Sequence, residues 1–212
     1  MTASRRLPRP RLSRLRAFAI ATAAMLTLAA TAHAADAAGA ASSGWNLDRL
    51  MATLAQNKSG RATFVETKYL SIAARPLESS GELVFVAPDH LEKHTSSPKP
   101  EHLVVDGDML TVERNNRKVT LALANYPELG AFIDSIRATL AGNRYALEQV
   151  YKVALDGRGD NWTLTLTPLD ARMSKVVSTI TLDGTRDRLR SIAIRQADGD
   201  HSLMRLQPLP AN

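Results

Sequence analysis

Apolar residues recur along this chain in two rhythms, and the changes between them divide it into elements. After a flexible lead-in over 35–45, Leu47, Leu50, Met51 and Leu54 fall at i, i+3, i+4 and i+7 behind Asn46. That spacing predicts a short amphipathic helix capped by Asn46 and stopped between Asn57 and Gly60. From 61 to 122 the rhythm becomes that of strands. Residues 61–70 are rich in Thr, Phe, Val and Tyr, and Leu83 and Phe85 alternate with Glu82, Val84 and Val86 after a break at Ser79-Ser80-Gly81. Pro88 ends that strand. Further strands are predicted over 90–95, 102–105, 109–114 and 118–122, with a loop at 97–100. Turns fall at Asp106-Gly107-Asp108 and Asn115-Asn116, where Gly and Asn accept the positive φ of tight hairpins.

Residues 125–142 interrupt this pattern. Pro127 suits a first helical position, Leu129, Phe132, Ile133, Ile136 and Leu140 share one face, and Gly142 is a natural stop. Strands then resume. Tyr151, Val153 and Leu155 alternate, a turn follows at 156–161, and Trp162, Leu164 and Leu166 alternate with Thr163, Thr165 and Thr167. Strands over 173–182, 189–196 and 202–207, separated by turns at Asp183-Gly184 and Asp198-Gly199-Asp200, complete the series. About ten strands and two amphipathic helices, without a repeat, predict one α+β domain over 46–212. Its expected form is a strongly curved antiparallel sheet closed over by helices. The central helix either covers an apolar concavity or completes an ordinary core.

Composition first points elsewhere. Lys and Arg number 27 against 21 Asp and Glu, a net charge of +6 that would suit a nucleic-acid or membrane-surface binder. The excess is local. Arg5, Arg6, Arg9, Arg11, Arg14 and Arg16 precede an apolar run from 17 to 30 and the small-x-small triplet Ala32-His33-Ala34. This is the layout of a cleavable secretory signal over 1–34, with cleavage expected after Ala34. Residues 35–212 then carry equal numbers of basic and acidic side chains. A soluble, exported, periplasmic protein is expected, with no nucleic-acid partner.

Candidate chemistry is sparse. The absence of cysteine excludes disulfides, thiol nucleophiles and cysteine-held metals. His90 and His94 on one strand would lie about 13 Å apart, too far for one ion. They are read with His102 and His201 as surface residues, and no metal or cofactor is expected. Glycine-bracketing aspartates at 106/108 and 198/200 read as turn chemistry, and Arg186, Arg188, Arg190 and Arg195 as a solvated edge. With no nucleophile elbow, phosphate loop or metalloprotease motif, the chain is not expected to be an enzyme. An enzyme would need a polar cluster inside the fold, and Glu66 with His90 or His94 is the sole combination to nominate.

The order of the motifs resembles the LolA-type periplasmic carriers of outer-membrane lipoproteins, across about 46–207. Ala62-Thr63-Phe64-Val65-Glu66-Thr67-Lys68 is similar to the family's Phe-x-Gln-x-Lys strand. Ser80-Gly81-Glu82-Leu83-Val84-Phe85-Val86-Ala87-Pro88 is similar to its Gly-x-Leu strand ending in Arg-Pro. Pro98, Val104-Val105-Asp106-Gly107 and Trp162-Thr163-Leu164-Thr165-Leu166-Thr167-Pro168 follow in order. The resemblance implies an unclosed antiparallel barrel with helices as a lid over an apolar cavity for acyl chains. Leu50, Phe64, Leu83, Phe85, Phe132, Ile133, Ile136, Trp162, Leu164 and Leu166 are then the candidate cavity residues. It also implies a monomeric carrier that takes cargo from an inner-membrane exporter to an outer-membrane acceptor. Two family positions differ: the Gln is Glu66, and the Arg before proline, which helps hold the lid, is Ala87. Leu91 and Lys93 stand in the next strand where the family has an aromatic. A divergent branch is expected, with a lipoprotein, lipid or aryl-polyene conjugate as cargo. The alternative is a periplasmic lipid-sensing adaptor or regulator of the same fold.

Overall fold

The computed structural model describes residues 45–210; the expected signal segment lies outside them. Helix α1 (Leu47–Leu54) is capped as its sequence predicts, Asn46 Oδ1 accepting the Arg49 N–H at 2.8 Å, and it buries Leu50, Met51 and Leu54. Six strands follow: β1 (Ser59–Tyr69), β2 (Leu77–Val86), β3 (His90–Ser97), β4 (Glu101–Asp106), β5 (Met109–Arg114) and β6 (Arg117–Ala122). A 3₁₀ turn then leads into α2 (Pro127–Leu140) and α3 (Arg144–Val150). Strands β7 (Tyr151–Arg158), β8 (Asn161–Pro168), β9 (Val177–Thr185), β10 (Arg188–Gln196) and β11 (His201–Pro208) end the fold.

All eleven strands form one antiparallel sheet in the order β6-β5-β4-β3-β2-β1-β11-β10-β9-β8-β7. Two meanders are thus joined where the first strand pairs with the last, from Ala62 opposite Pro208 to Tyr69 opposite His201. The sheet curves but does not close, because β6 and β7 remain edges. These two edges are connected through the helices. The register sets the path of that connection. β6 ends at Ala122 beside Met109, on the rim where α1 arrives, which we call the near rim. β7 starts at Tyr151 beside Pro168, on the opposite, far rim. α2 and α3 therefore carry the chain from one rim to the other.

Several local expectations change. Gly81 and Gly184 lie inside strands, not at breaks, because tertiary neighbours leave no room for a side chain. A Cβ on Gly81 would stand 1.9 Å from the His94 carbonyl oxygen, and one on Gly184 2.0 Å from the Trp162 ring. The β9–β10 turn falls instead at Arg186, whose φ is 55°. The strand predicted from 173 begins only at Val177, since Asp170 Oδ1 accepts the N–H groups of Arg172 (2.8 Å) and Met173 (3.1 Å) and winds a 3₁₀ turn there. A third helix, α3, was not predicted; its cap is Asn143, whose Oδ1 accepts the Ala146 N–H at 3.0 Å.

Candidate functional site

The inward face of the sheet is built by alternation. Phe64 on β1, Leu83 and Phe85 on β2, and Trp162, Leu164 and Leu166 on β8 all point to the core, each at most 2% exposed. Leu50 of α1 and Phe132, Ile133 and Ile136 of α2 meet them in one continuous apolar cluster. The ten residues are thus neighbours in a single core. α2 is enclosed more fully than an amphipathic helix requires. From Ser135 to Leu140 every residue is buried, Arg137 included. Trp162 is fixed by its Nε1–H, which donates to the Arg186 carbonyl at 2.8 Å, and by the bare backbone of Gly184 beneath it.

One ionic group interrupts this apolar interior. Glu66 is wholly buried, and its Oε2 accepts from Lys93 Nζ at 2.8 Å. Lys68 Nζ lies 3.4 Å from Oε1, an ion-pair distance without hydrogen-bond geometry. Lys93 Nζ also sits 4.8 Å from the centre of the Phe64 ring. Burial pulls the Lys93 pKa down, while the Glu66 carboxylate opposes that shift. Glu66 on β1 and Lys93 on β3 thus hold each other inside the core. Glu66 is kept from the histidines: Lys93 is buried, while His90 and His94, one residue out of phase, lie on the outer face of β3. No Glu66–His cluster forms.

The helices are tied to the sheet by few polar contacts. The Arg137 guanidinium, on α2, donates to the Gly107 carbonyl in the β4–β5 turn at 2.8 Å and lies 3.3 Å from Asp134. Arg144 at the start of α3 joins helix to helix instead, reaching Asp48 of α1 at 2.7 Å and Glu148 of its own helix at 2.9 Å. Ala87 packs partly buried against the core. A polar tie between helix and sheet comes from α2, through Arg137 and the Gly107 carbonyl.

On the outer face, His90, Glu92 and His94 alternate along β3, and His102 of β4 stands directly opposite His94. The His94 and His102 rings stack with centroids 3.8 Å apart and planes 20° from parallel. Glu92 lies at the centre, Oε1 2.7 Å from His90 Nε2, and Oε2 2.6 Å from His94 Nε2 and 3.3 Å from His102 Nε2. Partial burial would raise the Glu92 pKa, but hydrogen bonds from the three imidazoles outweigh it and hold the pKa at about 2. An open groove of about 470 Å³ borders the cluster, lined by His94, His102, Glu101 and Glu113 among others. Strand spacing alone separates His90 from His94, yet both imidazoles lean towards Glu92 between them, His90 Nε2 onto Oε1 and His94 Nε2 onto Oε2. The sequence does not show the cross-strand neighbour His102, which only register reveals.

The described residues thus form an open, curved antiparallel sheet with helices packed on its apolar face and one continuous apolar core between them. The chain belongs to the family described as "Outer membrane lipoprotein carrier protein LolA-like", which it matches over residues 34–207. Members of this family are carriers or binding proteins. No curated protein matches the chain. Among solved structures, it is similar to the LolA superfamily protein NE2245 from Nitrosomonas europaea, with 10% identity, 76% of this chain and 89% of that one covered, and a TM-score of 0.40. It is also similar to MucB, solved with MucA, from Pseudomonas aeruginosa (18%, 78% and 57% covered, TM-score 0.39). A third is LprF from Mycobacterium bovis (10%, 76% and 89% covered, TM-score 0.31). No helix among the described residues is long and apolar enough to cross a membrane.

Proposed function

We propose that this protein is a periplasmic carrier that sequesters the acyl chains of a lipoprotein or lipid-like cargo between the inner and outer membranes. The observation that carries the reading is the single apolar cluster between a sheet with two free edges and helices held mostly by apolar contact. Such a seam can part without breaking a β-ladder, and an acyl chain can take the place of the helix side chains Phe132, Ile133 and Ile136. Each buried methylene yields about 0.8 kcal/mol, so a chain of about twelve gains ~10 kcal/mol on leaving water. A carrier must nearly match the membrane at each end, or cargo either never enters or never leaves. The helix side chains meet that condition by competing with cargo for the same apolar surface.

The zero net charge of residues 35–212 supports apolar burial over electrostatic attraction as the driving force. The family match begins at residue 34, beside the expected cleavage after Ala34, which supports export. Delivery would run from an inner-membrane exporter to an outer-membrane acceptor. Glu66 with Lys93 inside the fold, and Ala87 at the family's arginine position, favour a divergent cargo such as a lipid or aryl-polyene conjugate. The test is gentle purification from the native periplasm followed by mass spectrometry. Near-stoichiometric acyl lipid is expected; protein recovered folded and free of lipid counts against a carrier.

A further inference from the structure

The outer face of β3 and β4 carries a donor set for which the apolar interior has no use. We propose that Glu92, His94 and His102 form a binding site for one divalent transition-metal ion, with Zn²⁺ the ion their donors fit best. Two imidazole nitrogens and one carboxylate oxygen are borderline donors of the kind zinc selects, and three protein ligands leave a fourth position open. The three ligand atoms lie within 4.8 Å of one another. Zinc bonds of about 2.0–2.1 Å place tetrahedral ligand atoms ~3.3 Å apart. His102 Nε2 and Glu92 Oε2 are already at 3.3 Å. His94 Nε2, at 2.6 Å from the same oxygen, needs to retreat by about 0.7 Å to reach that tetrahedral spacing. The stacked His94 and His102 rings, 20° from parallel, must also splay so that both Nε2 lone pairs converge on the ion; His94 is 47% exposed, so its side chain is free to rotate out of the stack.

The backbone does most of the preorganisation. Residues i and i+2 of one strand share a face, which puts Glu92 beside His94, and the direct cross-strand pair adds His102. Two hydrogen-bonded strands fix all three positions. His90 Nε2, 2.7 Å from Glu92 Oε1, steadies the oxygen that does not bind the ion, as the outer partners of metal ligands commonly do. Glu113 stands opposite His102 in the β4–β5 register and is drawn towards Lys118 at 2.7 Å. Binding requires each ring as its Nδ1–H tautomer, leaving the Nε2 lone pair for the ion. The site faces solution, so the proposal is independent of what occupies the core.

The test is calorimetric titration of Zn²⁺ into the exported protein, stripped with chelator and free of any affinity tag. Co²⁺ absorption spectra report the geometry. One equivalent is expected to bind, with tetrahedral Co²⁺ bands and a melting temperature that rises with zinc. His94→Ala and His102→Ala should each weaken binding by at least about tenfold, and His90→Gln by about tenfold through loss of positioning. His201→Ala, whose ring stacks on Tyr69 away from the cluster, should leave binding unchanged. Glu92→Gln keeps the shape of the side chain and serves if an alanine variant fails to fold. No zinc binding by the folded protein overturns the proposal. So does binding that persists in His94→Ala and His102→Ala, or that depends equally on His201.

Discussion

At the residue scale, Glu66 and Lys93 place an ion pair inside the core. Removing one charge strands the other in an apolar interior, so Glu66→Ala should cost about 3–5 kcal/mol in urea unfolding. Replacing both by methionine removes the desolvation cost with the attraction, and the double variant should be near neutral or up to about 1–4 kcal/mol more stable. If the double variant instead loses the sum of the single losses, the two groups are not coupled. Tyr151 gives a pH signature. It is 1% exposed, and burial pushes its phenol up to about 12 from the ordinary 10. The folded state therefore favours the neutral phenol. Its contribution is complete below pH 10 and is lost as the pH rises from 10 towards 12, by ~2 kcal/mol. Wild-type stability should fall relative to Tyr151→Phe across that window; parallel curves would show an unperturbed phenol. The inward residues of β1, β2 and β8 were legible because alternation marks them. That Glu66 would find Lys93 was not, because the partner lies two strands away.

At the scale of elements, Arg137 ties α2 to the β4–β5 turn. Arg137→Ala removes the 2.8 Å bond to the Gly107 carbonyl and the contact with Asp134. A hydrogen bond from a charged donor contributes about 1.5–3 kcal/mol, so stability should drop by that order. If the helices act as a lid, uptake of a fluorescent fatty acid by the variant should be faster. Unchanged uptake with lower stability would make Arg137 a structural brace only. The sequence marked α1 and α2 through the spacing of their apolar residues and through Asn46, Pro127 and Gly142. It did not mark α3, which buries only Leu147 and so has no apolar stripe to read. Gly81 and Gly184 misled for a related reason. A glycine in the sequence signals a missing side chain, and only the neighbours, His94 and Trp162, say whether that serves a turn or a close approach.

Across the whole molecule, the sequence by itself determined the class, the alternation that builds an apolar inner face, the location of the excess positive charge in the first 34 residues, and the likeness to the LolA-type carriers. These depend on period, composition and order, all local properties of the chain. Tertiary structure decided the pairing of β1 with β11, the free edges β6 and β7, the near-to-far path of the helical connection, and the gathering of Glu92, His94 and His102. The physical reason is register. A strand's alternation tells which face a side chain takes, but the same alternation is satisfied by any shift of two residues against a neighbouring strand. Only long-range pairing selects one such shift, and with it which polar side chains stand opposite one another.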